Sequence, residues 1–431
     1  MRTRALVLVA LIAVSINLRP TVTTVAAAMP EIEQGFGLAP HLMPLLGAMP
    51  VVAFGISAPL GPWLGRRFGA GAAVAIALLV LAGALLIRAL VPGLLLPGTF
   101  LAGSAIMTAS VLVPQILKAR GGSGWWTGLC TMGFGLGAAM GAGLVRPLEQ
   151  LLGGSLPWAL AMWAAPALLA AGLIRPKARS RPHAGTKPAP PTRNRPVWRQ
   201  RTALAVAAFF GLQALLYFAV TSWLSAFLVS RGVEAADAAG MLAWFSIAGL
   251  PASLLTPVLA NRPAILKIAT PGLGILIAAG LLGILAAPQG LQFWAVGLLG
   301  AVQSAGFGLG MALMVIRSNG PQSAGRLSAM SQGTGFALAS LGPLLAGMLQ
   351  QLTGGWETSF LVLAGVALLL AVAGRFASTG PGVGPSGGEE ARQEEAQQLE
   401  TRRGPEAEAP SVAEMAVAGP AVETAEPAKG S

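Results

Sequence analysis

The sequence predicts an all-α membrane protein with twelve transmembrane helices in two six-helix, pseudo-symmetric halves. Three observations carry that prediction. Hydrophobic residues make up 54% of the 431 positions and charged residues only 10%, whereas soluble domains hold about 25% charged residues. Apolar stretches near the roughly 20 residues needed to cross a bilayer recur along the chain. The charges fall almost wholly between those stretches, with basic and acidic residues on alternate loops.

In order, the stretches are 5–29, 43–60, 70–90, 94–117, 125–145, 156–174, 202–229, 236–260, 264–287, 291–316, 327–349 and 359–376. Each is bounded by charges, prolines or glycines, the punctuation expected where a helix leaves the bilayer. The run 175–201 is rich in Pro, Arg and Lys and has no apolar period, so it reads as a basic linker. It divides an amino-terminal bundle, 1–174, from a carboxy-terminal bundle, 202–376. From 377 to 431, Gly, Pro, Glu and Ala dominate. Such a segment cannot bury enough apolar surface to fold, so a disordered cytoplasmic tail is expected.

Charge distribution sets the expected orientation. With both termini cytoplasmic, Arg66, Arg67, Lys118 and Arg317 join the basic linker on one side, against Arg88, Arg146 and Arg231 in outer loops. That asymmetry obeys the positive-inside rule and predicts a multi-pass protein of a bacterial inner membrane. The formal charge of +12 therefore marks topology, and no nucleic-acid partner is expected. The linker's basic run can also attract anionic headgroups. Glu31, Glu33, Glu149, Glu234, Asp237 and Glu357 fall in outer loops or at their rims, which leaves no carboxylate inside a span.

Several activities are excluded by what the chain lacks. A single cysteine, Cys130, rules out an intramolecular disulfide and any multi-cysteine metal site. The two histidines, His41 and His183, lie in expected loops. There is no Gly-x-x-x-x-Gly-Lys-Ser/Thr loop, so no P-loop nucleotide motor is built in. No cofactor is expected, and no enzymatic activity. Arg2 and Arg4 ahead of the run 5–16 resemble a secretory leader, but Arg19 and Pro20 interrupt the approach to Ala26-Ala27-Ala28 and favour a retained first span.

The two halves echo each other at an offset of about 195 to 201 residues. Asn17 aligns with Gln213, Arg67 with Arg262, Lys118 with Arg317, and Gly153-Gly154 with Gly354-Gly355. In order and at matching topological positions, these pairs imply halves related by a two-fold axis along the membrane normal.

Specific stretches sharpen this. They are Asn17-Leu18-Arg19-Pro20, Met29-Pro30-Glu31-Ile32, 54–60, 65–69, Pro114-Gln115-Ile116-Leu117-Lys118, 211–217 and 326–332. Together they resemble the cyanate and nitroimidazole porter branch of the major-facilitator transporters, over roughly residues 1–376. One departure is visible in the loop after the second span: Gly61 and Arg66 match the superfamily pattern, but Gly65 stands where an acidic residue is usual. Gly133, Gly135, Gly137, Gly141 and Gly143 precede Pro147 on the fifth span, similar to an antiporter glycine motif, and equally a close-packing face.

The resemblance implies that spans 1, 4, 7 and 10 line a central cavity with the substrate near the midplane. Polar residues there are the candidates for substrate binding: Asn17, Arg19, Thr108, Gln213, Tyr217 and Gln303. Arg66, Arg67, Lys118 and Arg317 are candidates for gating and topology. Arg19 is the focus, because an arginine at the centre of a membrane helix costs roughly 2.5 to 3.5 kcal/mol on insertion scales and marks a functional site by default. Pro20 breaks the helix beside it. A planar guanidinium fork with no carboxylate to neutralise it points to an anionic substrate; the alternative is a structural arginine bonded to carbonyls that Pro20 frees. Gln213 and Tyr217, the only tyrosine, are four residues apart and share a helix face.

The expected function is thus a secondary transporter, a monomer in the bilayer, moving a cyanate-like anion or nitroimidazole-like solute by alternating access. Protons are a candidate coupling ion. A broad drug exporter of the same fold is the second reading, and a membrane sensor or polytopic enzyme the remote one.

Overall fold

A computed structural model describes residues 2–28, 32, 43–174 and 196–384. The expectations for Glu31, Glu33, His41, His183, linker residues 175–195 and the tail beyond 384 lie outside these residues. Among the described residues the chain is helical, with one short parallel bridge, Ser318 to Val383. Residues to Gly384 form one compact unit.

The helices are α1 (Arg2–Asn17), α2 (Pro20–Ala27), α3 (Met43–Ser57), α4 (Leu60–Phe68), α5 (Ala70–Leu90), α6 (Leu95–Ala119), α7 (Gly124–Gly143), α8 (Val145–Leu151), α9 (Leu156–Ala161) and α10 (Ala164–Ile174). The second half holds α11 (Arg201–Ser230), α12 (Ala235–Ala260), α13 (Pro263–Ala286), α14 (Gln289–Ile316), α15 (Pro321–Ala339), α16 (Leu341–Thr353) and α17 (Glu357–Thr379). Among the described residues, ten helical runs are long and apolar enough to cross a bilayer, or eleven if α7 and α8, bent by 50°, count as one span. The remaining expected span, 43–60, is α3 continued by α4, with Pro59 at the joint.

The predicted spans are more broken than an even hydropathy pattern suggests. The first splits at Leu18-Arg19, where Pro20 opens α2; this is the local break expected beside Arg19. The sixth divides into α9 and α10, and the eleventh into α15 and α16. The last helix runs to Thr379, and 380–384 pair with the α14–α15 connection: the Val383 amide donates to the Arg317 carbonyl (2.6 Å), and the Asn319 amide to the Val383 carbonyl (2.9 Å). The tail therefore does not begin at 377 as expected. Its Gly-Pro-rich start is held by backbone bonds that composition does not reveal.

The two-fold repeat is visible in the pairings. α3 packs on α6 as α12 packs on α14, and α5 packs on α10 as α13 packs on α17. Gly153 and Gly354, aligned by the sequence repeat, both have positive φ, 70° and 71°, a conformation that glycine adopts without strain.

Lipid solvates apolar side chains as well as protein does, so helices associate through close packing at small residues. α7 shows this on two faces. Gly133, Gly137 and Gly141 lie against Ser15, Ile16 and Pro20 of the first span. Gly124, Gly128 and Gly135 lie against Pro257, Leu254 and Leu250 of α12, in the other half. Gly133, Gly135, Gly137 and Gly141 of the fifth span are thus packing residues, whereas Gly143 meets open space, and one packed face seats the Arg19 break. Gly61 and Gly65 do similar work: a Cβ on Gly61 would come 3.1 Å from the Thr108 carbonyl oxygen, and one on Gly65 3.0 Å from Leu112. The departure at Gly65 therefore serves close approach to α6. Outward faces carry exposed Ile268, Leu169, Leu344 and Leu298, as a lipid-facing surface requires.

Arg88 differs from its expected place in an outer loop. It lies inside α5, fully buried, and its Nη2 donates to the Thr21 carbonyl oxygen at 3.2 Å. Arg19 is therefore not the only charged residue inside the spans.

Candidate substrate site between the halves

The break in the first span sets Arg19. Residues 18–19 leave the helix, and the Arg19 carbonyl accepts from the amides of Val22 (3.1 Å) and Thr23 (3.2 Å) to restart it. The Thr24 hydroxyl donates to the Gly141 carbonyl (3.0 Å), fixing α2 on α7. Arg19 is half-buried. Its guanidinium lies 5.5 Å from the Phe307 ring centre and interacts electrostatically with Tyr217. Among the described residues no hydrogen bond or ion pair holds it. The role of a structural arginine bonded to a backbone carbonyl near the break falls instead to Arg88.

The other candidates separate into two groups. Gln213 and Gln303 meet: Gln213 Nε2 donates to the Gln303 backbone oxygen (2.8 Å) and lies 3.5 Å from its Oε1. Both are buried, and among the described residues Gln303 Nε2 has no acceptor. Tyr217 is half-buried and packs against Phe218 and Phe245, with ring centres at 5.7 and 6.1 Å. Asn17 and Thr108, by contrast, are bonded to their own helices, at the carbonyls of Ala13 (2.8 Å) and Ser104 (2.8 Å).

A ring of phenylalanines adjoins Arg19 through Phe307 and has no polar residue of its own to mark it in the sequence. Phe54 meets Phe336 (5.2 Å) and Phe134 meets Phe307 (5.8 Å), each pair bridging the halves; Phe210 touches both Phe307 and Phe336 (6.1 and 5.6 Å). One signal was available: Phe307 is four residues past Gln303, on the same helix face.

Among the described residues, hydrogen bonds that join the halves run from this ring toward the end of the bundle bearing Lys118 and Arg317. The Thr131 hydroxyl donates to the Ser253 carbonyl (2.6 Å), and the Ser110 hydroxyl to Gln332 Oε1 (2.7 Å). Gln332 Nε2 in turn donates to the Ser328 hydroxyl (2.7 Å). Lys118 Nζ donates to the Val315 carbonyl (3.2 Å) beside a cavity of about 410 Å³. Arg66 lines a small cleft with Gln115, Gln322 and Arg326, while Arg67 stacks on Trp63 and Phe68. Arg317 Nη1 donates to the Gly380 carbonyl (3.2 Å), so it fastens the carboxy-terminal segment.

A helical bundle of two related halves, with a first span broken beside Arg19, is the architecture of a polytopic membrane protein built on an internal repeat. Residues 7–340 match the Major Facilitator Superfamily, and the chain belongs to that family. Within it the chain falls in the branch of the cyanate and 2-nitroimidazole transporters. It is 31% identical to the cyanate transport protein CynX of Escherichia coli over 84% of this chain and 95% of that one. It is 29% identical to the 2-nitroimidazole transporter of the same organism, over 86% and 95%. A Bacillus subtilis transporter, YycB, is 30% identical over 85% and 91%. Among solved structures, the transporter FucP in an outward conformation superposes with a TM-score of 0.67 at 17% identity, covering 86% of this chain and 98% of that one. The protein is a membrane transporter, and its fold class stands as the sequence predicted.

Proposed function

We propose that the protein carries a small planar anion by alternating access, with Arg19 as the anchor, Phe307 and Tyr217 beside it, and the Gln213–Gln303 pair as a hydrogen-bonding wall. The observation that carries this reading is the state of Arg19: a guanidinium deep in the bundle, half-buried at a helix break, with an aromatic face and a phenol in electrostatic reach and, among the described residues, no acid to neutralise it. An unpaired cation in such surroundings is costly, so a bound anion is strongly stabilised there. The unpaired Gln303 Nε2 offers a donor in the same region. The 2-nitroimidazole and cyanate relatives handle small, flat, electron-rich solutes by name, in keeping with this chemistry. The described residues give little support to Asn17 and Thr108 as ligands, since each is bonded to its own helix.

The basic end is assigned to the cytoplasm on its charge. The contacts between halves lie from the phenylalanine ring to that end, which favours an arrangement closed inward and accessible from outside. Inward opening then requires Phe54 to part from Phe336 and Phe134 from Phe307, with loss of the Thr131–Ser253 and Ser110–Gln332 bonds. Termini on the cytoplasmic side and a monomeric carrier belong to the same proposal. Without a carboxylate in the predicted span interiors, protons couple through the substrate's own ionisation or through outer-rim acids, unless the anion is simply exchanged.

The test is flux in proteoliposomes with cyanate, 2-nitroimidazole and benzoate as probes; no saturable flux of any of them would overturn the substrate class. In the same assay Phe307→Leu removes the cation–π and ring contacts, together about 0.5 to 2 kcal/mol. Apparent affinity for a ring-bearing probe should fall about 2-fold to 30-fold, with cyanate affected less.

A further inference from the structure

Arg88 has no part in the proposed transport site, yet it is a fully buried cation inside α5. Of its nitrogens, Nη2 reaches the Thr21 carbonyl, while Nε and Nη1 have no acceptor among the described residues. Thr21, the residue it touches, is also buried and has an unpartnered hydroxyl. Two residues in contact thus present three orphaned polar atoms. Desolvating such groups without a partner is unfavourable, and more so for a charge. No acidic side chain bears on Arg88 among the described residues.

The chemistry and the space both narrow what satisfies these atoms. A guanidinium only donates, and a threonine hydroxyl can donate; a neutral water would satisfy one or two of them but leave the charge. Room is short. A Cβ on Gly98 would come 2.6 Å from the Arg88 Cβ. Val25, Ala89 and Leu95, each within a turn of Thr21, Arg88 or Gly98, belong to one buried apolar cluster. An organic anion of substrate size does not fit such a setting.

We propose that Arg88 and Thr21 form a second anion site, separate from Arg19, that takes a small inorganic anion of halide size. It sits two residues beyond Arg19, at the start of α2. Occupancy ties α5 to the outer half of the broken first span and holds the segment from which Arg19 projects.

The experiment is thermal unfolding of the purified full-length protein in sodium chloride against sodium gluconate at equal ionic strength. Binding to the folded state raises the unfolding temperature with ligand concentration. The expected result is a saturable rise of several degrees in chloride for the wild type. Arg88→Gln and Thr21→Val should abolish this rise, and bromide should replace chloride and give an anomalous scattering peak beside Arg88. Thr21→Val and the bromide peak decide the matter if Arg88→Gln does not fold. An absent chloride effect, or an equal one in the variants, overturns the site. So does a loss of stability in Glu31→Gln or Glu33→Gln equal to that in Arg88→Gln, since the chain itself then supplies the counter-charge.

Discussion

Replacing Arg19 with alanine is expected to abolish transport of an anionic solute while leaving the protein folded and inserted. Among the described residues the Arg19 side chain makes no bond that holds the bundle together: it faces the Phe307 ring and interacts electrostatically with Tyr217, and the break beside it is maintained by Pro20, Thr24, Gly137 and Gly141. Removing one partner of a buried charge pair costs about 2 to 5 kcal/mol. Apparent affinity for the anion should therefore fall about 30-fold or more, with the unfolding temperature little changed without substrate. Arg19→Lys keeps the charge but loses the planar fork, so it should recover only part of the affinity. Wild-type flux by either variant in proteoliposomes contradicts an anchor role.

The second large effect is expected at Gly128, on the face of α7 that meets the other half. A Cβ there would come 3.1 Å from the Leu254 carbonyl carbon, and nearer still to its oxygen. Backbone cannot yield as a side-chain tip can. Gly128→Val should therefore wedge α7 from α12 at the Lys118 end and weaken the Thr131–Ser253 bond nearby. Overpacking of this kind costs about 1 to 3 kcal/mol, and here it falls on one conformation only. The expected result is a carrier shifted inward, with loss of net transport and new labelling of a cysteine introduced at Ala312. Normal transport with unchanged labelling would show that this contact does not close the inner side. Gly143, with open space around it, is the control: Gly143→Ala should be near neutral.

Much of this architecture was legible in the chain. Apolar length and alternating charge gave the spans, and the order of Asn17, Arg67, Lys118 and their counterparts gave the repeat. Pro20 announced the break. What could not be read were relations across the fold. The four-residue spacing of Gly133, Gly137 and Gly141 predicts a smooth face, but nothing local says that it receives the first span while Gly124 and Gly128 receive α12. Arg88 was placed in a loop because a charge near a span's end usually leaves the bilayer; only the packing of α5 on Gly98 and Thr21 shows it buried. The phenylalanine ring gathers residues from five separate helices, with no short-range pattern to mark it. Gln213 and Gln303 stood out as polar residues at the midplane, and the structure adds that they touch.

The central claim is that Arg19 reads the negative charge of the substrate, and a matched pair of ligands tests it most directly. Benzoate and benzamide share size and planarity but differ in charge. Binding of each should be measured to purified wild type and to Arg19→Ala by isothermal titration. The account predicts that the wild type prefers benzoate by about 30-fold or more, the counterpart of about 2 kcal/mol, and that Arg19→Ala binds the two alike. Equal binding of both by the wild type, or a preference for benzoate that survives in Arg19→Ala, would contradict it.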